Sequence, residues 1–412
     1  MINFNKFTLS NGLQVYVHED RTTPLAVLNI LYNVGSRDED ETKTGFAHLF
    51  EHLMFGGSKN ISNFDDPLQM VGGENNAFTS TDITNYYVTL PAANLETAFW
   101  LESDRMLSLS FDPKVLEVQK KVVIEEFKQR YLNQPYGDVW LNIKPLAYTK
   151  HPYKWNTIGK EISHIEKATM DDVKLFFFKF YRPNNAIMVV AGNVNVDQVR
   201  ELSEKWFGDI PKGEVYIRNL PKEDRQQEKR VKEVSGKVPL DAIFKVFHMP
   251  GRTEDTYHAA DLLGDILGRS NSSRLHEKLV KDKKLFNDLH SYVTGSADPG
   301  LLIVSGKLNK GVSIEEGEAE IEKMIEQLRL QKVDEEELEK VKNQAESTVV
   351  FAEVELLNRA MSLSYAAFLG NPDLVNLESE RIQSVTSEDI VTMANTILVP
   401  ENSSTLYYRS IY

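Results

Sequence analysis

Cysteine is absent from all 412 residues of this chain. The absence excludes disulfide bonds, thiolate metal sites and a cysteine nucleophile, so any bound metal must be held by His, Asp or Glu. Long apolar runs are missing too, because no segment approaches the ~18 consecutive apolar residues of a membrane-spanning helix. Acidic residues outnumber basic ones and the formal net charge is -14. This balance argues against a general nucleic-acid or anionic-membrane binder.

The N-terminus has neither the basic start nor the apolar core of a secretory signal. Its first residues, MINFNKFTLSNGLQVYV, alternate polar and apolar side chains around an Asn-Gly pair and predict a strand or hairpin. We therefore expect a cytoplasmic protein, or a periplasmic one if a signal has been removed.

The chain is too long for one ordinary hydrophobic core, which predicts at least two domains. A polar segment that includes PKEDRQQEKR follows Pro211 and has no helical or strand periodicity over most of its length. It is typical of a linker. The expected organisation is a first domain over residues 1–212, a linker over 213–230 and a second domain over 231–412.

Two stretches of the chain have similar sequences. IEKATMDDVKLFFFKFYRPNNAIMVV, from Ile165, aligns without a gap with IQSVTSEDIVTMANTILVPENSSTLY, from Ile382. Each predicts a capped amphipathic helix, a Pro-Asn turn and a strand. A weaker similarity joins FDPKVLEVQKKVV, from Phe111, to VDEEELEKVKNQA, from Val333, and predicts a long Asp-capped helix in each half. We infer an internal duplication rather than chance similarity, with an α+β architecture in which each half is a sheet with helices packed on one face.

His48, Glu51 and His52 lie within the apolar segment GFAHLFEHLMFGG. This segment predicts a helix with Thr44 as its N-cap and its end at Gly56-Gly57. At ~100° per residue the two histidines are about 40° apart, and Glu51 lies about 60° to the other side of His48. All three side chains therefore project from one arc. Two imidazoles at i and i+4 can bind one zinc ion, and the carboxylate between them can reach its bound water.

The alternative for these residues is a pair of hydrogen-bonded core histidines. It would leave two imidazoles and a carboxylate on one apolar helix without a balancing charge, which is costly, whereas a divalent cation removes that cost. The order H-x-x-E-H is the inverzincin signature, the reverse of the commoner H-E-x-x-H. Two histidines together with one carboxylate ligand suit zinc best, and another metal stays open as the alternative.

The helix DPKVLEVQKKVVIEEFKQRY offers a third ligand. Its predicted buried stripe consists of Val115, Val118, Val122, Val123 and Phe127. Glu126 falls inside this stripe and Glu125 at its edge. Because a carboxylate on a buried face needs a balancing charge, Glu126 is the predicted ligand, while Glu125 is predicted to be solvated or to support the site from outside. The alternative is that both acids lie on the surface.

Several blocks resemble those of one peptidase family: NGLQVYV, VGSRDE, GFAHLFEHLMFGG, GGENNAFTSTDITNYY, VVIEEF, HPY, YRPNNAIMVVAGNV and SSRL. The family is that of pitrilysin, insulin-degrading enzyme and the mitochondrial processing peptidase, and in size the chain resembles its half-length bacterial members. The resemblance implies two duplicated domains with mostly antiparallel sheets. It implies one Zn2+ per chain, held by His48, His52 and Glu126, with Glu51 as the general base that activates the zinc-bound water. The implied activity is zinc-dependent endopeptidase cleavage of short unfolded peptides.

The segment NNAFT resembles the family's edge strand, on which a peptide adds as a further strand. The resemblance implies that Asn76, Ala77 and Phe78 contact the substrate, with affinity from main-chain hydrogen bonds. From the residues alone, an ordinary sheet strand after a Gly-Gly turn is an equally good interpretation.

Two departures from the family pattern concern the active site. Gln119 stands where the family usually has a second Glu, which puts zinc affinity in doubt. In the second half, Val280 and Asn287 stand where an Arg and a Tyr usually complete the active site, and Tyr292 is a nearby alternative. We therefore expect the zinc-bearing catalytic subunit of a heterodimer whose homologous partner supplies the Arg-Tyr pair. A homodimer stays open, as does a catalytically silent scaffold or peptide-binding subunit of a larger complex.

Overall fold

A computed structural model describes all 412 residues. The strands are β1 (Asn5–Thr8), β2 (Gln14–Glu19), β3 (Leu25–Tyr32), β4 (Glu74–Thr79), β5 (Thr84–Pro91), β6 (Ala186–Gly192), β7 (Arg230–Gly236), β8 (Ala242–Met249), β9 (Phe286–Val293), β10 (Gly300–Leu308) and β11 (Ser403–Ser410). The helices are α1 (Phe46–Leu53), α2 (Asp65–Met70), α3 (Leu95–Leu107), α4 (Pro113–Phe127), α5 (Val139–Ala147), α6 (Ile162–Glu166), α7 (Met170–Phe180), α8 (Val196–Phe207), α9 (Tyr257–Gly264), α10 (Ile314–Leu330), α11 (Glu335–Ala352), α12 (Leu356–Phe368), α13 (Leu374–Ser384) and α14 (Ser387–Ile397). None of these helices combines the length and the apolar character needed to cross a membrane.

The strands form two sheets of similar topology. The first has six strands in the order β1-β2-β6-β3-β5-β4, and the second has five in the order β7-β11-β8-β10-β9. The pairs β2–β6 and β7–β11 are parallel, and the other pairs are antiparallel. The predicted fold of two duplicated, mostly antiparallel sheets is confirmed. In the second sheet, β9 occupies the edge position that β4 occupies in the first.

The duplicated segments have the same local structure. Helices α7 and α14 both begin after a threonine, Thr169 or Thr386, with φ -104° and ψ 162°. Each threonine hydroxyl accepts a hydrogen bond from the amide of the third helical residue, Asp172 or Asp389. A short 3-10 turn at a proline and then a strand, β6 or β11, follows each helix. The predicted helix, turn and strand are therefore confirmed in both halves.

The chain forms two compact units, and each takes one segment from the other half of the sequence. Unit 1 comprises Met1–Phe127, Trp155–Leu220 and Val350–Leu377, and unit 2 comprises Lys128–Lys154, Pro221–Val349 and Glu378–Tyr412. Between α8 and β7 the chain forms neither helix nor strand. The predicted domain boundaries, at residues 212 and 231, separate the two homologous halves of the sequence and do not coincide with the limits of the compact units. These boundaries stay a prediction.

The exchanged segments cover the second face of each sheet. In unit 1, α12 buries Ala360 and Leu363 against Val27 and Val189, while Tyr86 points to α1 on the opposite face. In unit 2, α5 packs in the same manner against β8, β10 and β11, and α9, α10 and α14 cover the other face. The helical layer expected on one face is present, and one further helix lies on the second face of each sheet. An apolar second face requires this cover, because water would otherwise contact it.

Candidate metal centre

Helix α1 separates apolar from polar side chains, as its sequence predicts. Phe46, Ala47, Leu49, Phe50 and Leu53 are buried. His48, Glu51 and His52 occupy the remaining arc and are half-buried. The apolar face holds the helix in unit 1, where the Phe50 ring stacks on Tyr181 with centroids 5.2 Å apart. The three polar side chains are thereby presented from a rigidly packed helix.

The start of α1 differs from the prediction, because Thr44 is not its N-cap. The helix begins after Gly45, whose φ of 88° lies in the left-handed region that favours glycine. The carboxyl of Glu39 accepts hydrogen bonds from the amides of Gly45 and Ala47 at 3.0 and 2.8 Å. The Thr44 hydroxyl instead accepts from the Lys160 amide. Burial raises the pKa of Glu39 from 4.5 to about 8, while the two amide donors act to lower it.

Glu126 lies near the end of α4, between the buried residues Val123 and Phe127. The predicted stripe is wrong in part, since Val118 and Val122 are 56% and 43% exposed. The residues on the actual buried face are Leu116, Lys120, Val123 and Phe127. Lys120 can be buried because its ammonium donates to the carbonyl of Ala168 at 3.2 Å and to Glu117 at 2.9 Å. Glu126 therefore lies on the flank of the buried face, and Glu125 is exposed.

The structure brings His48, His52 and Glu126 together in a triangle. The two imidazole Nε2 atoms are 3.4 Å apart, and each lies 3.6 Å from Oε2 of Glu126. The side chains are 13%, 25% and 19% exposed, respectively. The donor atoms are thus collected at the boundary between the core and solvent.

These distances fit a tetrahedral zinc site. Ligand atoms about 2.0–2.1 Å from zinc in a tetrahedron lie about 3.3–3.4 Å from one another. The three observed sides, 3.4, 3.6 and 3.6 Å, are close to that value. Two imidazole nitrogens and one carboxylate oxygen are also ligand types that zinc accepts. The three residues present therefore fit a zinc ion.

Glu51 does not belong to the triangle, although it lies on the same helix between the two histidines. Its Oε2 accepts a hydrogen bond of 2.6 Å from the hydroxyl of Thr79, the last residue of β4. Thr79 was not predicted as a partner of the site. The alternation of side chains along a strand could have predicted the face on which Thr79 lies. Thr79 shares a sheet face with Ala77, and Phe78 lies on the opposite face.

Strand β4 forms one edge of the first sheet. It pairs only with β5, and Asn76, Ala77 and Phe78 lie opposite Tyr87, Tyr86 and Asn85. Asn76 and Phe78 are exposed, and Phe78 retains 40% of its accessible surface. The Asn76 side-chain oxygen accepts from the Ala77 amide at 2.8 Å. The predicted substrate strand is therefore an edge strand whose C-terminal end touches Glu51.

The residues at the expected Arg and Tyr positions lie in unit 2. Val280 is half-buried and packs against the hydrophobic core of that unit. Asn287 and Tyr292 are exposed residues of β9. Neither Val280 nor Asn287 can replace a guanidinium or a phenol chemically.

Comparison with known proteins gives consistent matches over the whole chain. A family model described as insulinase, peptidase family M16, matches residues 14–158, and one described as the peptidase M16 inactive domain matches residues 167–345. Zinc protease PqqE of Helicobacter pylori is 31% identical over 410 residues, which cover 98% of this chain and 92% of that protein. A crystal structure of a protease from Helicobacter pylori has a TM-score of 0.94 at 29% identity and covers 99% of this chain and 100% of its own. The mitochondrial-processing peptidase subunit beta of Caenorhabditis elegans is 28% identical over 217 residues, which are 52% of this chain and 46% of that subunit.

The chain belongs to peptidase family M16. Several of its relatives bear the name zinc protease, and its two-sheet fold is that of the solved structures in the same family.

Proposed function

We propose that this chain is a zinc-dependent endopeptidase that hydrolyses short unfolded peptides and binds one zinc ion through His48, His52 and Glu126. The observation that carries the proposal is the triangle of donor atoms with sides of 3.4, 3.6 and 3.6 Å. Zinc supplies Lewis-acid activation of water and of the peptide carbonyl when it is bound.

Glu51 is the proposed general base. It projects from the same arc of α1 as the two histidines, so its carboxylate lies beside the triangle without contributing to it. In this role a carboxylate oxygen of Glu51 takes a proton from the attacking water and later delivers it to the amine of the departing fragment. The hydroxyl of Thr79 holds the carboxylate meanwhile through Oε2.

Strand β4 is the proposed docking site for the peptide. A peptide that pairs with this edge gains main-chain hydrogen bonds that depend little on its sequence, and Asn76, Ala77 and Phe78 are its proposed contacts. Only an extended segment can pair in this way, which limits substrates to unfolded chains. The exposed ring of Phe78 offers an apolar contact on the face opposite to Thr79.

The chain is proposed to be the catalytic subunit of a two-chain enzyme. Val280 and Asn287 provide neither the guanidinium nor the phenol that the family usually supplies from its second half, so a homologous subunit is the proposed source of both groups. The similarity to a protein named as one subunit of a processing peptidase supports a paired arrangement. A homodimer is the alternative assembly, with Tyr292 in the role of the missing phenol.

Zinc content and peptide cleavage test this proposal together. The purified protein should bind one zinc ion per chain, measured by elemental mass spectrometry. Alone or mixed with a homologous M16 subunit, it should cleave a quenched-fluorescent peptide library. Glu51→Gln should retain zinc and lose cleavage, because an amide cannot accept the proton.

Glu126→Gln and Glu125→Gln form a matched pair, since the same chemical change is made at adjacent positions. The first should lose zinc, and the second should keep both zinc and cleavage. Equal zinc loss in the two variants, or cleavage that survives in Glu51→Gln, would contradict the assignments. Bound zinc with no cleavage under either condition would favour the catalytically silent subunit.

A further inference from the structure

The hydroxyl of Thr79 joins the edge strand β4 to the carboxylate of Glu51. Thr79 Oγ1 donates to Glu51 Oε2 at 2.6 Å, within the range of hydroxyl–oxygen hydrogen bonds. The two residues are distant in sequence and belong to different elements, α1 and β4. The contact therefore depends on the tertiary structure of unit 1 and fixes one element with respect to the other.

The surrounding structure restricts both partners. Thr79 is the last residue of β4 and lies opposite Thr84, whose hydroxyl donates to the carbonyl of Val34 at 2.9 Å. Immediately after Thr79, the amides of Ser36 and Arg37 donate to the carbonyls of Ser80 and Thr81. The end of the strand is thus tied to the segment that leads into Glu39, the cap of α1. Thr79 cannot shift along the strand without breaking these bonds.

A threonine on a strand has few accessible side-chain rotamers, because its β-branched carbon restricts χ1. Its hydroxyl is therefore held at a nearly constant position. A glutamate carboxylate at the end of a flexible side chain has no such restriction of its own. The hydrogen bond therefore restricts the Glu51 carboxylate. It costs little additional conformational entropy at Thr79, whose side chain is already restricted by the strand.

We propose that Thr79 is a positioning residue of the site: its hydroxyl orients the carboxylate of Glu51 with respect to β4. This inference rests on the proposed function, because it assumes that Glu51 is the base and that β4 holds the peptide. The strand that binds the peptide then also orients the group that takes the proton. Strand β4 consequently positions both the scissile carbonyl of the peptide and the carboxylate of Glu51. The distance between these two groups is then set by β4 rather than by the side-chain rotamer of Glu51.

The kinetic test compares Thr79→Val, which keeps the shape of the side chain and removes the hydroxyl, with Thr79→Ser, which keeps the hydroxyl. Thr79→Val should lower kcat by about 10- to 100-fold, the scale of effect expected when a catalytic group is misplaced, with KM nearly unchanged. Thr79→Ser should restore most of the lost kcat. Zinc content should stay at the wild-type level in both variants, because neither change touches the triangle.

Ser80→Ala serves as the control for disturbance of the turn. The Ser80 hydroxyl accepts hydrogen bonds from the amides of Asp82 and Ile83 at 3.1 Å and does not contact Glu51. This variant should lose stability and keep its kcat at a temperature well below its unfolding midpoint. If Thr79→Val and Ser80→Ala lower kcat equally, or if Thr79→Val raises KM instead, the positioning role is wrong.

Crystal structures of the zinc-loaded variants give a readout that does not require turnover. In Thr79→Val the Glu51 carboxylate should rotate away from its position or occupy more than one conformation, and in Thr79→Ser it should keep a single one. A Glu51 carboxylate that keeps its place in Thr79→Val overturns the inference. If wild type and Glu51→Gln cleave peptides equally, the proposed function fails instead, and the crystal structures still decide whether Thr79 orients Glu51.

Discussion

Glu39 caps the helix that carries His48, through a bond to Ala47, the residue just before this histidine. Oε1 of Glu39 accepts from the Ala47 amide at 2.8 Å, and Oε2 accepts from Gly45 at 3.0 Å. A carboxyl from outside the helix therefore satisfies amides that normally depend on a side chain at the N-cap itself. Its position in sequence, in VGSRDE, is separate from the zinc motif.

The cap predicts that Glu39→Ala destabilises unit 1 and weakens zinc binding. Two buried amides lose their acceptors, which costs about 1–3 kcal/mol for an unsatisfied buried group. The free energy of unfolding from urea titration and the zinc dissociation constant from chelator competition measure the two effects. Glu39→Gln retains one acceptor oxygen and should fall between wild type and Glu39→Ala. Unchanged zinc affinity in Glu39→Ala would mean that the start of α1 does not influence the histidines.

Zinc should stabilise the folded protein, because the three proposed ligands, from two helices, are collected only in the native state. At a free zinc concentration of about 100 times its dissociation constant, the gain is about 2.7 kcal/mol. Calorimetry with and without a chelator should show the corresponding rise in the unfolding temperature. Glu126→Gln should lose most of this rise and Glu125→Gln should keep it. A zinc-dependent rise of the same size in both variants would place the metal elsewhere.

Peptide pairing with β4 predicts a periodic response to backbone N-methylation of a substrate. In a paired strand, alternate amides donate to the neighbouring edge and the others point away. Methylation of the donating amides should raise KM by about tenfold, the equivalent of about 1.4 kcal/mol for one lost hydrogen bond. Methylation of the intervening amides should leave KM nearly unchanged. A response without a two-residue period would exclude strand addition as the binding mode.

Glu223 should make the stability of unit 2 depend on pH. Burial raises its pKa, but hydrogen bonds from the amides of His151, Thr149 and Lys150 and from the Thr149 hydroxyl outweigh burial and lower the pKa from 4.5 to about 2. A carboxyl with a lowered pKa stabilises the fold above its unfolded pKa, and this stabilisation is lost as the pH falls from 4.5 toward 2. The difference in unfolding free energy between wild type and Glu223→Gln should therefore be largest near neutral pH and shrink on acidification. A constant difference would contradict the assignment.

Glu102 and Arg105, both on α3, form a buried ion pair in unit 1. Arg105 Nε donates to Glu102 Oε2 at 2.8 Å, and its guanidinium lies 4.4 Å from the ring centroids of Phe64 and Tyr86. Arg105→Met should cost about 3–5 kcal/mol, because a buried carboxylate loses its only strong counter-charge. The double variant Glu102→Leu/Arg105→Met should be more stable than Arg105→Met alone, as urea unfolding can measure. If the double variant is the less stable one, the unpaired Glu102 carboxylate does not carry the expected cost.

The sequence predicted the residues of the triangle better than the helix faces around it. The spacing of His48, Glu51 and His52 fixes their common arc whatever the helix packs against. Glu126, the predicted ligand, lies with the two histidines, and its role as a ligand stays a prediction. The predicted stripe on α4 nevertheless included the exposed Val118 and Val122. Hydropathy alone cannot reveal that Lys120 is buried by a hydrogen bond to a distant carbonyl.

Other features require tertiary information that a single sequence does not contain. The duplicated helix, turn and strand could be predicted because the capping residues act locally. The cap from Glu39 and the bond from Thr79 to Glu51 join separate elements, so no local pattern encodes them. The amphipathic pattern of α5 and α12 predicts a buried face but does not identify the sheet that each helix covers.

The exchange of α5 and α12 has a consequence for the order in which the protein is made. Unit 1 is completed by Val350–Leu377, which leave the ribosome long after α1 and β4. Until then the apolar second face of the first sheet lacks its covering helix. A nascent chain arrested between the two halves therefore exposes an apolar surface, and the sheet that contains β4 is covered on both faces only after Val350–Leu377 have been made. If the chain were divided between its two homologous halves, the first product would lack α12 and the second would lack α5.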